Sequence, residues 1–267
     1  MAFVALLSAA VGLPLCTLHA PMVPHVAAQG AKIVHLVAAP PADDPASPDA
    51  RLSKAALAQC AALAELTARL DSIELVVCSP LTRSLQTVTA GFADYVARGS
   101  PVVALEAVRE LVQTRADARR PTSELASEFG HVSFSELSDE EDVLWDRLGG
   151  AAEGADAVAA DALEARCAEA VRWLLARPEK EVVVVSHPAL LHHLTNVGYE
   201  PLTQPPIEAG LDPRLRPPIA PLPPFASDTR RLRARGPLVV YPSQHMARTL
   251  RPPFQPCELR IVAAVPL

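Results

Sequence analysis

The chain has 267 residues and a mass of 28.3 kDa, room for one large domain or two small ones. Half of its residues are hydrophobic, enough to bury a sizeable core and to argue against general disorder. The formal net charge of -6 and the 4% aromatic content lack the basic balance and the stacking platforms of nucleic-acid binders. The five cysteines, Cys16, Cys60, Cys78, Cys167 and Cys257, are widely spread and form no CxxC pair. That pattern speaks against a disulfide framework or zinc knuckle and for a reducing, cytoplasmic setting. No uninterrupted apolar run reaches the ~20 residues of a membrane span. Residues 2–18 come nearest, but Gly12 and Pro14 interrupt them and the first cation is Lys32. Residues 1–30 therefore read as an N-terminal extension, with a cleaved leader as the alternative.

From residue 31 the pattern becomes regular. Lys32-Ile-Val-His-Leu-Val37 is a short β-branched run and reads as a buried strand. Residues 38–50 have loop composition. Ser53 can cap a helix to about Leu70, with Leu57, Cys60, Leu63, Leu66 and Leu70 on its inner face. Ile73–Cys78 is a second strand, followed by a helix from Thr82 to Arg98 that stops before Gly99. Pro101–Leu105 is a third strand. Residues 112–121 form a polar, arginine-rich loop, and a short helix follows over 122–129.

The helix Asp161–Ala176 carries Leu163, Cys167, Ala170, Val171 and Leu174 on one stripe, and Pro178 stops it. Glu181-Val-Val-Val-Val-Ser186 is apolar on both faces, as a central strand of a parallel sheet is. A helix over 188–197 follows. Residues 201–256 hold about half of the chain's 27 prolines and read as a surface insertion of the domain at 31–267; no partner for it is legible. Glu258–Ala264 is a last strand. Strands alternating with helices predict a single α/β domain with an open, mainly parallel sheet.

Ligands of such sheets bind beyond the carboxyl ends of the strands. The residues there are Ala38-Ala39-Pro40, Ser79-Pro-Leu-Thr-Arg83, Glu106 through Glu110, and His187-Pro188. With these stand Asp49-Ala-Arg-Leu-Ser53 and Gln59, Ser84-Leu-Gln-Thr87, Val108-Arg-Glu110, Val132-Ser-Phe-Ser135 with Trp145, Arg177 through His187, and Cys257-Glu-Leu-Arg260. In this order and spacing the set resembles the histidine phosphatase (phosphoglycerate mutase-like) superfamily, over roughly 31–200 and 254–264.

The resemblance implies a three-layer sheet with helices on both faces. It also implies a phosphoryl-transfer site in which Arg-His-Gly ends the first strand. There the histidine takes the phosphoryl group, two arginines and a second histidine hold the phosphate, and a carboxylic acid protonates the leaving group. Phosphoryl transfer needs such concentrated charge because catalysis is mostly positioning and charge stabilisation. Here Ala38-Ala39-Pro40 stands where Arg-His-Gly is expected, which removes the nucleophile and one arginine.

By the same resemblance Arg83 and His187 are the phosphate-holding residues, and Glu110 is the acid, with Glu106 as rival. His35, inside the strand, reads as a packed core histidine. Arg115, Arg119 and Arg120 are candidates to reach an anion, or simply a solvated charge run. His192 and His193 point about 100° apart on a helix, so no metal site is expected, and no cofactor is implied. The expectation is a catalytically inactive relative that takes a small phosphorylated ligand. The alternatives are an active phosphomonoesterase or mutase whose first motif is displaced or misread, and an interaction protein with a vestigial pocket.

Overall fold

The computed structural model describes residues 32–147, 156–196, 239–240 and 254–264. The N-terminal extension and most of the proline-rich insertion lie outside the described residues. Six strands form one sheet: β1 (Lys32–Ala38), β2 (Leu75–Cys78), β3 (Val102–Ala104), β4 (Glu181–Ser186), β5 (Val239–Val240) and β6 (Leu259–Ala264). Their spatial order is β3-β2-β4-β1-β6-β5. β1, β2, β3 and β4 are mutually parallel, while β6 runs antiparallel to β1 and β5 antiparallel to β6. The mainly parallel sheet is as expected. The insertion is not wholly outside the domain, because Val239–Val240 adds a short edge strand.

Alternation along the strands divides the core in two. On one face Val34, Leu36, Ala38, Leu75, Val77, Val182 and Val184 pack against α6 (Asp156–Ala176) and α7 (Pro188–Asn196). On the other, Val37, Val76, Cys78, Val183 and Val185 pack against four further helices. These are α1 (Lys54–Thr67), α2 (Thr82–Gly91), α3 (Ala93–Ala97) and α4 (Thr122–Glu128). The central strands β1 and β2 are therefore buried on both faces, which explains their unbroken apolar runs.

Local signals set several boundaries. The Ser53 hydroxyl accepts the Ala56 N–H at 3.1 Å and caps α1, a contact of the kind that stabilises a helix by about 1 kcal/mol. The buried stripe of α1 is Ala56, Cys60, Leu63 and Thr67, not the run of leucines: Leu57, Leu66 and Leu70 are only half-buried. Thr67 lies inside because its hydroxyl donates to the Gly91 carbonyl at 2.5 Å. A Cβ at Gly91 would come within 2.9 Å of the Leu63 side chain, so the glycine permits the close approach of α1 and α2. The expected helix Thr82–Arg98 is broken at Phe92, whose backbone leaves the helical region (φ -128°, ψ 36°) while its ring enters the core. The stripe of α6 is buried as predicted. Ser133 extends the sheet beside β3 through a parallel bridge to Val103. Among the described residues no helix is long and apolar enough to cross a membrane.

Candidate functional site

The carboxyl ends of β1, β2 and β4 lie side by side, because Ala38 pairs with Ser186 and Cys78 with Val185. The segments that follow these strands meet there. α2 starts one residue before Arg83, and α7 starts at Pro188, directly after His187. The Arg83 Nε–H donates to His187 Nδ1 at 3.2 Å. The two residues that the resemblance pairs on a phosphate are thus brought together, and both are buried, at 4% and 1% exposed.

Their hydrogen bonds settle the chemistry of the pair. A guanidinium can only donate, so His187 Nδ1 accepts and the ring's proton sits on Nε2. From there it faces the hydroxyls of Ser79 (2.9 Å) and Ser84 (3.2 Å). The remaining Arg83 nitrogens donate to the Ala116 carbonyl (2.8 Å) and to Asp117 Oδ1 (2.7 Å). Asp117 is 4% exposed. Its second oxygen accepts the N–H groups of Gln113 and Thr114 and the Thr114 hydroxyl, closing a capping box around the 3₁₀ turn Arg115–Asp117. Asp49 similarly accepts the Thr82 N–H (2.8 Å) and hydroxyl (2.6 Å), so a carboxylate already occupies the N-terminus of α2.

Burial, with the Arg83 and Arg109 charges nearby, holds the His187 imidazole well below its ordinary value. The unfolded chain therefore takes up this proton first as pH falls. The stability this group contributes is complete above about 6.5, the ordinary imidazole value, and is lost as pH drops through that value toward the folded one. Burial raises the Glu110 carboxyl, so its contribution has the opposite sense and declines as pH rises through its own window. The wild-type urea midpoint should fall between pH 7 and pH 5, and a His187→Gln variant should fall less over the same range. Equal slopes for the two proteins would remove His187 as the source.

Glu110 stands at the start of α7, where its Oε1 accepts the N–H of Leu190 (3.3 Å) and of Leu111 (2.9 Å). The rival, Glu106, is spent on Arg109 at 2.6 Å and lies 3.5 Å from Arg119. Arg119 and Arg120 are not a solvated charge run. Arg119 is 7% exposed and donates to the carbonyls of Arg120, Asp139, Glu140 and Glu141, while Arg120 pairs with Asp49 (3.1 Å) and Glu128 (3.0 Å). Internal carboxylates and carbonyls hold them because an arginine brought under the loop needs partners. Arg115 is exposed. His35 is buried as expected and its Nε2 meets Glu181 Oε1 at 2.7 Å. The sequence reading missed Ser79, Ser84, Asp49 and Asp117 as partners. The Thr114-x-x-Asp117 spacing of a capping box was the one available signal for the last. Among the described residues no cluster of three or more His, Cys, Asp or Glu could hold a metal ion.

At the β1 end, the Ala38 N–H donates to the Glu258 carbonyl (3.1 Å) and the Ala39 N–H to the Ser186 carbonyl (2.6 Å). Ala38, Ala39 and Pro40 are all buried.

An arginine, a histidine and a helix start converge beyond the parallel strands of this α/β protein, at the sheet's carboxyl edge. The family model of the histidine phosphatase superfamily (branch 1) matches residues 45–201, and the chain belongs to that superfamily. Two phosphoglycerate mutase-like proteins of Arabidopsis thaliana are similar to it. One is 31% identical over 151 residues, 47% of this chain and 53% of the relative. The other, phosphoglycerate mutase-like protein 1, is 32% identical over 150 residues, 46% and 51% of the two chains. The chain thus spans about half the length of the curated relatives it matches. Among solved structures, the α-ribazole phosphatase of Shigella flexneri shares 19% identity and a TM-score of 0.39 over 60% of this chain and 76% of that one. A mycobacterial glucosyl-3-phosphoglycerate phosphatase in complex with VO3 shares 19% and a TM-score of 0.37 over 61% and 79%.

Proposed function

We propose that the protein is a catalytically silent histidine phosphatase relative that keeps a weak pocket for a small phosphorylated ligand at Arg83 and His187. The observation that carries this reading is the end of β1. Ala38-Ala39-Pro40 offers no imidazole, no guanidinium and no free N–H toward the site: the first two N–H groups are used within the sheet and proline has none. Glu110, the half-buried carboxyl whose proton affinity is raised, is the acid of this reading, left without a nucleophile to serve. The cytoplasmic setting belongs to the same proposal and rests on the cysteine pattern.

An active enzyme with His187 as displaced nucleophile is less well supported. Its Nδ1 lone pair is engaged by Arg83 and its Nε2 carries the proton, so neither nitrogen is free to attack phosphorus. The same tautomer opposes a serine hydrolase dyad, since a base for Ser79 or Ser84 would need a bare Nε2. The interaction-protein reading draws on a different contact, the Arg83–Asp117 ion pair at 2.7 Å, in which a carboxylate stands in for a ligand anion.

Asp117 competes with phosphate for one guanidinium, so the wild type should bind inorganic phosphate at millimolar affinity or weaker. Asp117→Asn removes the competing charge and should tighten binding by roughly tenfold, about 1.4 kcal/mol. NMR titration with phosphate reads both, and Arg83→Ala should abolish the shifts. If wild type and Arg83→Ala respond alike, the pocket is vestigial and the interaction reading stands.

A further inference from the structure

Two thiols that the site does not use face each other inside the core. Cys60 comes from the middle of α1 and Cys257 from the turn that leads into β6. Their sulfurs lie 3.6 Å apart although 197 residues separate them in sequence. They are 0% and 2% exposed. Cys257 is the third residue of a turn closed by the Glu258 N–H on the Gln255 carbonyl at 3.0 Å, with Pro256 before it. Its φ of 56° lies in the left-handed region that this turn position normally gives to glycine. A cysteine there aims a sulfur at Cys60. The bond from Cys257 holds the Cys60 thiol below its ordinary value, and the same contact, with burial, pushes Cys257 up. The two protons of the pair therefore come off in separate steps, with the Cys60 thiol the readier of the two.

We propose that Cys60 and Cys257 form a reversible dithiol–disulfide site whose oxidant is hydrogen peroxide. The Cys60 thiolate attacks one peroxide oxygen, the O–O bond breaks, and hydroxide leaves and is protonated to water. Cys60 is now a sulfenic acid. The Cys257 sulfur then attacks the Cys60 sulfur, the S–O bond breaks, and the second water leaves with the Cys257 proton. Two thiols and one hydrogen peroxide give one disulfide and two waters; sulfur is oxidised and peroxide oxygen reduced.

Closing the sulfurs from 3.6 Å to a bond of about 2.05 Å needs roughly 1.5 Å of movement, shared by two side chains and the turn. The Cys257 N–H also donates to the Ala38 carbonyl at 2.8 Å. The bond would thus clip α1, the turn before β6 and the end of β1 together, across a loop long enough to restrict the unfolded chain strongly. Burial makes the reaction depend on local opening, so it should be slower than oxidation of an exposed thiol.

The test uses the full chain, reduced and then treated with hydrogen peroxide. Thiols are alkylated in denaturant, and peptides are mapped by mass spectrometry without reductant. Two of the five thiols should disappear. One peptide pair should be joined through Cys60 and Cys257, the melting temperature should rise by roughly 5–10 °C, and dithiothreitol should reverse all three changes. Cys257→Gly, which suits the positive φ, should fold normally and form no link, and its Cys60 should react with peroxide more slowly than in the wild type, because the bond that lowers its thiol is gone. Failure to find the joined pair in oxidised wild type, or its joining equally well only after unfolding, would overturn the proposal.

Discussion

The chain should turn over p-nitrophenyl phosphate no faster than a buffer blank. Loss of a covalent nucleophile removes most of an enzyme's acceleration; in a serine protease it lowers kcat by about a millionfold. Turnover that vanishes in His187→Ala would sink this expectation. Restoration is the stronger form of the test. Ala38→Arg, Ala39→His and Pro40→Gly together supply nucleophile, second guanidinium and loop freedom, and such groups act as a unit. Each single change should remain at background. The triple change should gain little either while Asp117 holds Arg83 at 2.7 Å, because the new imidazole would face an arginine already neutralised. With Asp117→Asn added, an acid-labile phosphohistidine at position 39 should become trappable. Ala38 and Ala39 are fully buried, so circular dichroism must first show that the variants fold. A folded quadruple variant that is never phosphorylated would mean that Glu110 or the cleft has also drifted from catalytic geometry.

The largest stability effect is expected away from the phosphate pair. Arg109 is fully buried and paired in parallel with Asp142, Nη1 to Oδ1 at 2.5 Å and Nη2 to Oδ2 at 2.6 Å. Asp142 also accepts the N–H groups of Arg119 (2.6 Å) and Trp145 (2.9 Å), the latter at the start of the short helix α5 (Val143–Arg147). Arg109 holds the Asp142 carboxyl below its ordinary value despite burial. Asp142→Ala should therefore cost about 3–5 kcal/mol in urea unfolding, because it strands a buried guanidinium. The paired change Arg109→Met with Asp142→Leu should recover part of that loss, since the stranded charge is removed too. A loss below about 1 kcal/mol for Asp142→Ala would show that Glu106 and the Asp117 carbonyl suffice for Arg109. The carboxylate's contribution is complete above the ordinary aspartate value and is lost as pH falls through the lowered one.

Much of this protein follows from local pattern. The β-branched runs at 32–37 and 181–186, the Ser53 cap, the stripe from Leu163 to Leu174 and Pro188 at the head of α7 depend on neighbours within a few residues. Period and capping chemistry reveal them directly. The placement of Arg83 and His187 beyond strand ends follows from the same pattern, because a parallel sheet brings its carboxyl ends to one edge. What the chain alone could not supply depends on contacts across long separations. Phe92 ends α2 because its ring finds a place in the core. β6 runs antiparallel to β1, and no local period records strand direction. Arg119 and Arg120 are drawn inward by Asp49, Glu128 and carbonyls up to 71 residues away. Above all, Asp117 lies 34 residues from Arg83 in sequence, and only the folded loop brings its carboxylate to the arginine's guanidinium. Residue types and spacing determine which groups arrive at the sheet's edge. The tertiary structure decides whether their charges face a ligand or each other, because in a dry interior every buried charge must find a partner.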